Sequence, residues 1–374
     1  RKLSRYSKQL DVPIDEIFNK FKGHEDYKYS EIMSTREIGE SYSEFQRKLP
    51  KKVADLTAEF NLEDYKRLIL IAKKLESSSD NSTLWQSGEN LSQAFQLIHE
   101  ELLSDVLEFY FSNGAPYSRQ LSWVVINKLN DKFGFEKAYE LINQKEFPHQ
   151  DNWRGDFWKI LPEEKINEKH AQMFYEFTKI QFSNQLHFYV QLNVVLKFVK
   201  YIPNIIDEIC EKILDAGKNN NKIVYDFLIE YHQNTQELVE IFSEKLNLLE
   251  ELYLAAEGTG LDYDGNLLIA LIEADKTFWD KYTKSIDTKN LFDFDKKHIF
   301  PKIWLRDDYK KLIDIAYENI VLKSRGYFGV YETEFLFPAS KIGDGEINER
   351  SKAWILKYID ENANNMDLMY KLYL

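Results

Sequence analysis

The amino-acid sequence predicts an all-α fold, an irregular α-solenoid of stacked antiparallel helix pairs, on three observations. The 374 residues include only 14 Gly and 8 Pro, the residues that most often interrupt helices. Hydrophobic residues make up 44% of the chain, yet the mean hydropathy is −0.49, so apolar and polar residues are interleaved as on amphipathic helices. No alternation of strand-like and helix-like segments appears. A multi-helix globular all-α fold is the alternative, because no fixed repeat period emerges.

Residues 1–75 are predicted to form an N-terminal helical segment. In its first helix Asp11 is placed as the N-cap and Pro13 lies in the first turn. An apolar stripe follows at helical spacing, formed by Ile14, Ile17, Phe18 and Phe21. Pro50 is expected to open the next helix, since proline is tolerated in the first turn of a helix.

Residues 76–83, ESSSDNST, contain no apolar side chain and are predicted to be a linker. Residues 84–374 are then the helical-repeat region. Within it we expect helices over the ranges 91–110, 121–133, 136–143, 162–182, 186–202, 203–216, 222–256, 267–286, 308–316 and 351–359. Segment 147–156 is expected to be a loop, and segment 326–337, GYFGVYETEFLF, suits either a short hairpin or an irregular connection. In all we expect about 15 to 18 helices of roughly 10–20 residues.

One nonapeptide occurs twice in nearly the same form. DYKRLILIA at 64–72 and DYKKLIDIA at 308–316 agree at seven of nine positions. The shared Tyr, Leu, Ile and Ala recur at i, i+3, i+4 and i+7, the pattern by which a helix packs on its neighbours. We therefore interpret the repeat as a recurring packing solution. Because Leu70 is replaced by Asp314, we expect the early copy to be buried on more sides and the late copy to expose this face.

Charge and polarity limit the partners that the chain can bind. The net charge is −13, and an acidic protein repels phosphate, so no nucleic-acid partner is expected. The most apolar stretch, 186–202, contains His187, Gln191, Asn193 and two lysines and is too short and polar to span a bilayer, so no membrane partner is expected. Cys210 is the single cysteine, which excludes an intrachain disulfide and indicates a small core residue. No signal peptide is present, and we expect a cytoplasmic protein.

Familiar catalytic motifs are missing from the sequence. No GxxxxGK[ST], HExxH or GxSxG motif occurs, and the seven His are scattered without metal-ligand spacing. Carboxylate pairs carry little information in a chain with 62 Asp and Glu. We therefore expect a region that is not an enzyme and needs no cofactor. An all-α enzyme with an unidentified carboxylate or metal site remains an alternative.

The segment 262–273, DYDGNLLIALIE, imitates a calcium-binding loop. Asp262, Asp264, Asn266 and Glu273 supply oxygen atoms at the first, third, fifth and twelfth positions of an EF-hand loop. The sixth position should be Gly but is Leu267, and LLIALI is typical of a helix that has already begun. We therefore favour a helix start capped by Asp over a metal site, and we expect no metal.

The segment HQDNWRGDFW, residues 149–158, is the predicted protein-binding surface. Trp153, Arg154 and Trp158 are the residue types that dominate interface hot spots. The alternative is that the tryptophans fill the core between repeats. Trp85, Trp279 and Trp304 also lie near the starts of helical patterns, which favours a packing role for such residues.

Aromatic-rich, acidic helical segments over most of the chain show a resemblance to a known family, which is seen at residues 300–337. DYKKLIDIAYENI, preceded by FPKIWLRD and followed by GYFGVYETEFLF, resembles the helical-repeat part of bacterial signal-transduction NTPases of the STAND type, some of which act in antiviral defence. The resemblance implies a non-catalytic sensor that recognises a protein partner, with ATP bound by a separate module. The chain begins at Arg1 and stops within the pattern MDLMYKLYL, so we expect it to belong to a larger multidomain protein. A purely structural scaffold is a further alternative.

Overall fold

The regular backbone of this computed structural model is helical throughout the described residues, which confirms the all-α prediction for them. The described residues are 2–25, 27–32, 39–76, 82–144, 146, 149–183, 190–286, 299–323, 345–366 and 369. They contain 21 α-helices in two compact units, Arg1–Ile166 and Asn167–Leu374. Several helices are shorter than the sequence pattern predicts, because neighbouring helices bury stretches of only one or two turns.

The first unit contains ten α-helices in its described part, followed by a 3₁₀ turn at Glu163–Lys165. The helices are α1 (Lys2–Leu10), α2 (Ile14–Lys22), α3 (Tyr27–Ile32), α4 (Tyr42–Thr57), α5 (Leu62–Glu76), α6 (Ser82–Gln96), α7 (Glu100–Ser112), α8 (Arg119–Phe133), α9 (Phe135–Asn143) and α10 (Gln150–Ile160).

Helices of the first unit pack on their next-but-one neighbours. One layer runs α4, α6, α8 and α10, and each helix in it packs on the one before. In the second layer α5 packs on α7. Helix α9 interrupts this order, because it packs on α8 and α10 rather than on α7. The neighbour order is that of stacked helix pairs, with one break in the second layer between α7 and α9.

Side chains fix the starts of several of these helices. Ser41 and Glu44 form a reciprocal capping box at α4, in which Ser41 Oγ accepts from the Glu44 amide and Glu44 accepts from the Ser41 amide. Asn61 and Asp64 form the same reciprocal pair at α5. The Asn61 backbone N–H donates to Asp64 Oδ2 at 3.0 Å, and the Asp64 backbone N–H donates to Asn61 Oδ1 at 3.2 Å. At α8 the Leu121 amide donates to Ser118 Oγ at 3.2 Å. These bonds satisfy backbone N–H groups that a helix cannot pair internally.

The core of the first unit is aromatic. Neighbouring rings follow one another from α5 to α10 in the order Tyr65, Phe95, Tyr110 and Trp153, with centroids 5.4–6.4 Å apart. Each contact is edge-to-face, the arrangement that the ring quadrupoles favour. One continuous core therefore joins helices on both sides of the predicted linker 76–83. Residues 77–81 of that linker lie outside the described residues, and the division between the units comes at Ile166 and Asn167.

The second unit contains eleven α-helices in its described part. They are α11 (Glu168–Ser183), α12 (Leu192–Leu196), α13 (Ile205–Gly217), α14 (Lys222–Leu228), α15 (Thr235–Ile241), α16 (Leu246–Ala255), α17 (Asn266–Ala274), α18 (Phe278–Ser285), α19 (Ile299–Trp304), α20 (Tyr309–Ala316) and α21 (Gly345–Asn362). Helix α20 continues into a π-helical turn at Tyr317–Val321. Packing again links next-but-one neighbours, as in α15 with α17, α16 with α18, and α18 with α20.

The two copies of the repeated nonapeptide lie on α5 and α20. In both copies the Leu, Ile and Ala of the stripe are buried, which agrees with the packing interpretation. The expected difference at Leu70 and Asp314 is wrong, because Leu70 is 41% exposed and Asp314 is exposed too. Asp314 Oδ1 accepts a hydrogen bond from Trp354 Nε1 of α21 at 2.9 Å, so the polar residue serves a helix contact.

Two further local predictions are wrong. Asp11 does not cap α2, since its backbone is left-handed with a φ of 53° and the N-cap position is Pro13. Pro50 lies inside α4 rather than at its start. Burial of Leu49 and Val53 on the same helix outweighs the cost of the proline.

The sequence also assigns a conformation to three longer segments. The expected loop 147–156 is largely helix α10, because Trp153 and its neighbours are buried. Of the expected helix 186–202, residues 186–189 lie outside the described residues, and the remainder contains only α12, followed by hydrogen-bonded turns to Ile202. The possible hairpin at 326–337 lies outside the described residues. Within the described part of the chain, no helix has both the length and the apolar character that crossing a membrane requires.

Candidate functional site

The predicted binding tryptophans lie in the core. Trp153 and Trp158 on α10 are both 0% exposed. The ring of Trp153 contacts Tyr110, Phe111 and Tyr117, with centroids 5.5–5.9 Å apart. A side chain with no accessible surface offers nothing to a partner, so the structure supports the packing interpretation for both tryptophans.

Arg154 is occupied within its own unit. Its Nε donates to Asn143 Oδ1 of α9 at 2.7 Å, and its Nη1 donates to Asp151 Oδ1 at 3.1 Å. The guanidinium therefore joins α10 to the end of α9. Together with the buried tryptophans, this arrangement shows that the segment forms a helix-to-helix joint.

The residues of the imitated calcium loop do not converge. Asp262 is buried, and its carboxylate accepts from the amides of Leu267 and Leu268 at 3.0 Å and from Tyr253 OH at 3.0 Å. It caps α17, as the favoured interpretation of the sequence predicts. Across the described residues, no group of three or more His, Cys, Asp or Glu is placed to hold a metal ion.

Asn266 and Glu273 of that loop line a shallow depression of about 380 Å³ in the second unit. Lys302 Nζ donates to Asn266 Oδ1 at 2.7 Å and to the carbonyl oxygen of Asp264. Arg306 pairs with Glu273 at 3.3 Å and with Asp308 at 2.8 Å. Arg306 is thus held by carboxylates and Lys302 by neutral oxygen atoms, which supports a structural role for the segment.

Cys210 is fully buried on α13, and burial raises the pKa of its thiol. A thiol that is buried and protonated is unreactive, in agreement with the predicted core position.

The second unit also contains a buried carboxylate beside a second acid. Glu250 of α16 is buried, and burial raises its pKa. Lys281 of α18 bridges Glu250 at 2.7 Å and Asp275 at 3.3 Å. Asp275 follows α17 and accepts from the Thr277 amide at 2.8 Å, a bond that lowers the pKa of Asp275 to about 2. The cluster joins α16, α17 and α18, and all three charges are engaged in that joint.

An open groove occupies the break in the second layer of the first unit. It has a volume of about 340 Å³ and lies between α7 and α9 over the C-terminal part of α8. Its lining residues come from all three helices: Ser104, Leu107, Glu108, Phe111, Ser112, Leu129, Phe133, Lys137, Leu141 and Gln144.

The floor of the groove is apolar. Leu107 and Leu129 are buried, Phe111 and Leu141 are half-buried, and Phe133 is 36% exposed. Large side chains left in contact with water in a concave surface are typical of recognition sites. The groove can therefore accept apolar side chains from another molecule.

The two walls of the groove differ in charge. Helix α7 carries an acidic stripe of Glu101, Asp105 and Glu108, which share one face at i, i+4 and i+7 and are exposed. Among the described residues none of the three forms an ion pair. On the α9 wall Lys137 pairs with Glu140 at 3.0 Å, which leaves that wall nearly neutral.

Sequence reasoning missed the groove, because its residues belong to three helices that each look like ordinary amphipathic helices. The acidic stripe is visible in the sequence, but its position beside an apolar floor depends on tertiary packing. Comparisons with protein-family models, with curated proteins and with solved structures find no match for this chain.

Proposed function

We propose that this chain is a non-catalytic helical-repeat region that recognises a protein partner through the groove between α7 and α9. The observation that carries the proposal is the break in the second helix layer, where Phe133 of α8 stays 36% exposed above the buried Leu129. Full burial of an exposed aromatic side chain contributes roughly 1.5–3 kcal/mol, and covering the 36% of Phe133 that is exposed contributes a part of that.

We further propose that the region is the sensor part of a larger bacterial defence or signalling NTPase that acts in the cytoplasm. The support is the resemblance of residues 300–320 and 326–337 to the repeat parts of STAND-type NTPases. The complete reading frame that encodes the chain tests this part. A GxxxxGK[ST] motif in a neighbouring domain is expected, and a frame without one contradicts the NTPase assignment.

Site-specific cross-linking in the native host tests the recognition groove. A photoreactive amino acid replaces Phe133 inside the groove or Trp123 on the same helix, which is 39% exposed and lies outside the groove. Recognition predicts one protein that cross-links at 133, does not cross-link at 123 and is lost when Ser104→Trp fills the groove. A structural scaffold instead predicts equal labelling at the two positions and no effect of Ser104→Trp.

A further inference from the structure

We propose that the occupant of the groove is an amphipathic α-helix of the partner with an apolar face and a Lys- or Arg-rich flank against α7. This inference rests on the recognition function proposed above and specifies the chemistry of the partner.

The length and direction of the groove fit a helix. On α7 the lining residues run from Ser104 to Ser112, which is about two turns or roughly 12 Å. On α9 they run from Lys137 to Gln144, just beyond the end of that helix. A helix docked between two such walls presents anchors at i, i+4 and i+7 to the floor.

The packing order of the unit also favours a helix. Helix α7 already packs on α5 in the second layer, and α9 leaves the adjoining position open. A partner helix placed there continues the layer and covers Phe133. An extended peptide that binds by strand addition would need an exposed strand edge, and none occurs in the part of the chain that the structure describes.

The charge of the walls specifies the flank of the partner. Glu108 of the α7 acidic stripe lines the groove, and Asp105 and Glu101 are exposed on the same face of α7 before it. The opposite wall balances its own lysine with Glu140. Cations on the partner helix complement the stripe, speed association and make binding weaker at high salt.

Fluorescence anisotropy with designed peptides tests the inference. The probe is a labelled helical peptide of about three turns with Leu at i, i+4 and i+7 and Lys along one flank. A second probe carries Glu in place of Lys, and a third keeps the composition but scrambles the Leu spacing. The whole chain is titrated against each probe at low and at high salt.

Charge reversal on the stripe provides the decisive comparison. Asp105→Lys with Glu108→Lys should weaken binding of the Lys probe about tenfold and strengthen binding of the Glu probe by a similar factor. The matched control is Asp55→Lys with Glu59→Lys, which makes the same charge change at exposed residues in and just after α4 and should change neither affinity.

Groove filling separates this inference from the proposed function. Ser104→Trp should abolish binding of the Lys probe, whereas Asn127→Trp at an exposed position of α8 should not. Two results would overturn the helix with a basic flank while groove recognition stands. In the first, Ser104→Trp abolishes binding but charge reversal has no effect. In the second, the scrambled probe binds as tightly as the Lys probe. Recognition at the groove is itself overturned if the probes bind the Ser104→Trp variant as tightly as the unaltered chain. It is also overturned if the probes bind neither of these two proteins and no protein cross-links at 133.

Discussion

Helices α6 and α8 approach so closely at Gly88 that the side chain there can only be a hydrogen atom. A Cβ on residue 88 would lie 2.5 Å from Ser118 Oγ and 3.0 Å from Ser118 Cβ. Ser118 Oγ cannot turn away freely, because it accepts from the Leu121 amide and caps α8. Losing that cap costs about 1 kcal/mol, and overpacking costs about 1–3 kcal/mol. Alanine regains about 1 kcal/mol of helix propensity. Gly88→Ala should therefore destabilise the first unit by about 1–3 kcal/mol.

The effect of Gly88→Ala on the free energy of unfolding should change sign when the Ser118 side chain is removed. Ser118→Gly deletes both clashing atoms, and glycine is a nearly equivalent N-cap, so that change alone should cost only a few tenths of a kcal/mol. In the Ser118→Gly background, Gly88→Ala should stabilise by about 1 kcal/mol, since only the helix propensity remains.

Urea unfolding followed by circular dichroism measures these four variants as a double-mutant cycle. Hydrogen exchange of the peptides that cover α6 and α8 assigns the change to the first unit. Gly88→Ala that stabilises both backgrounds equally would refute the close approach of the two helices.

Three more predictions concern burial, capping and pH. Trp153→Ala should destabilise by about 3–5 kcal/mol, whereas Trp123→Ala should change the free energy of unfolding by less than about 1 kcal/mol; equal effects in urea unfolding would contradict the buried position of Trp153. Asp262→Ala should destabilise the second unit by about 2–4 kcal/mol through the lost cap and the lost hydrogen bond from Tyr253 OH, and Ca²⁺ should not alter the thermal midpoint of the unaltered chain. If Asp262→Ala raised the hydrogen-exchange rate only at exposed amides, and not at the buried start of α17, this capping role would be contradicted. Because its pKa is lowered to about 2, Asp275 should contribute stability above its ordinary pKa of 3.8, and that stability should be lost as the pH falls towards 2. Urea unfolding between pH 2 and 6 should therefore show a weaker pH dependence in Asp275→Asn, and an unchanged slope would contradict the bond from Thr277.

Local patterns were sufficient to predict the helices and much of the core. The stripe of Leu, Ile and Ala in the repeated nonapeptide is buried in both copies, since helical periodicity determines which face a helix can bury. The cap at Asp262 and the buried Cys210 also follow from local sequence. These features depend on residues within one or two turns of each other.

Features that depend on tertiary packing could not be predicted in this way. Leu70 looks like a core residue but is exposed, because the helices around α5 cover only the opposite face. Trp153 and Trp158 have the composition of a binding hot spot, and only the three-dimensional contacts show that they join helices. The groove results because α9 packs mainly on α8 and α10 instead of continuing the layer of α5 and α7, which no property of either sequence segment specifies.

Cross-linking from position 133, with position 123 as the reference, tests the recognition groove most directly. One protein should be captured at 133 at least about tenfold more efficiently than at 123, and Ser104→Trp should remove this difference. Equal capture at the two positions, or capture at 133 that Ser104→Trp leaves unchanged, would contradict a recognition site between α7 and α9.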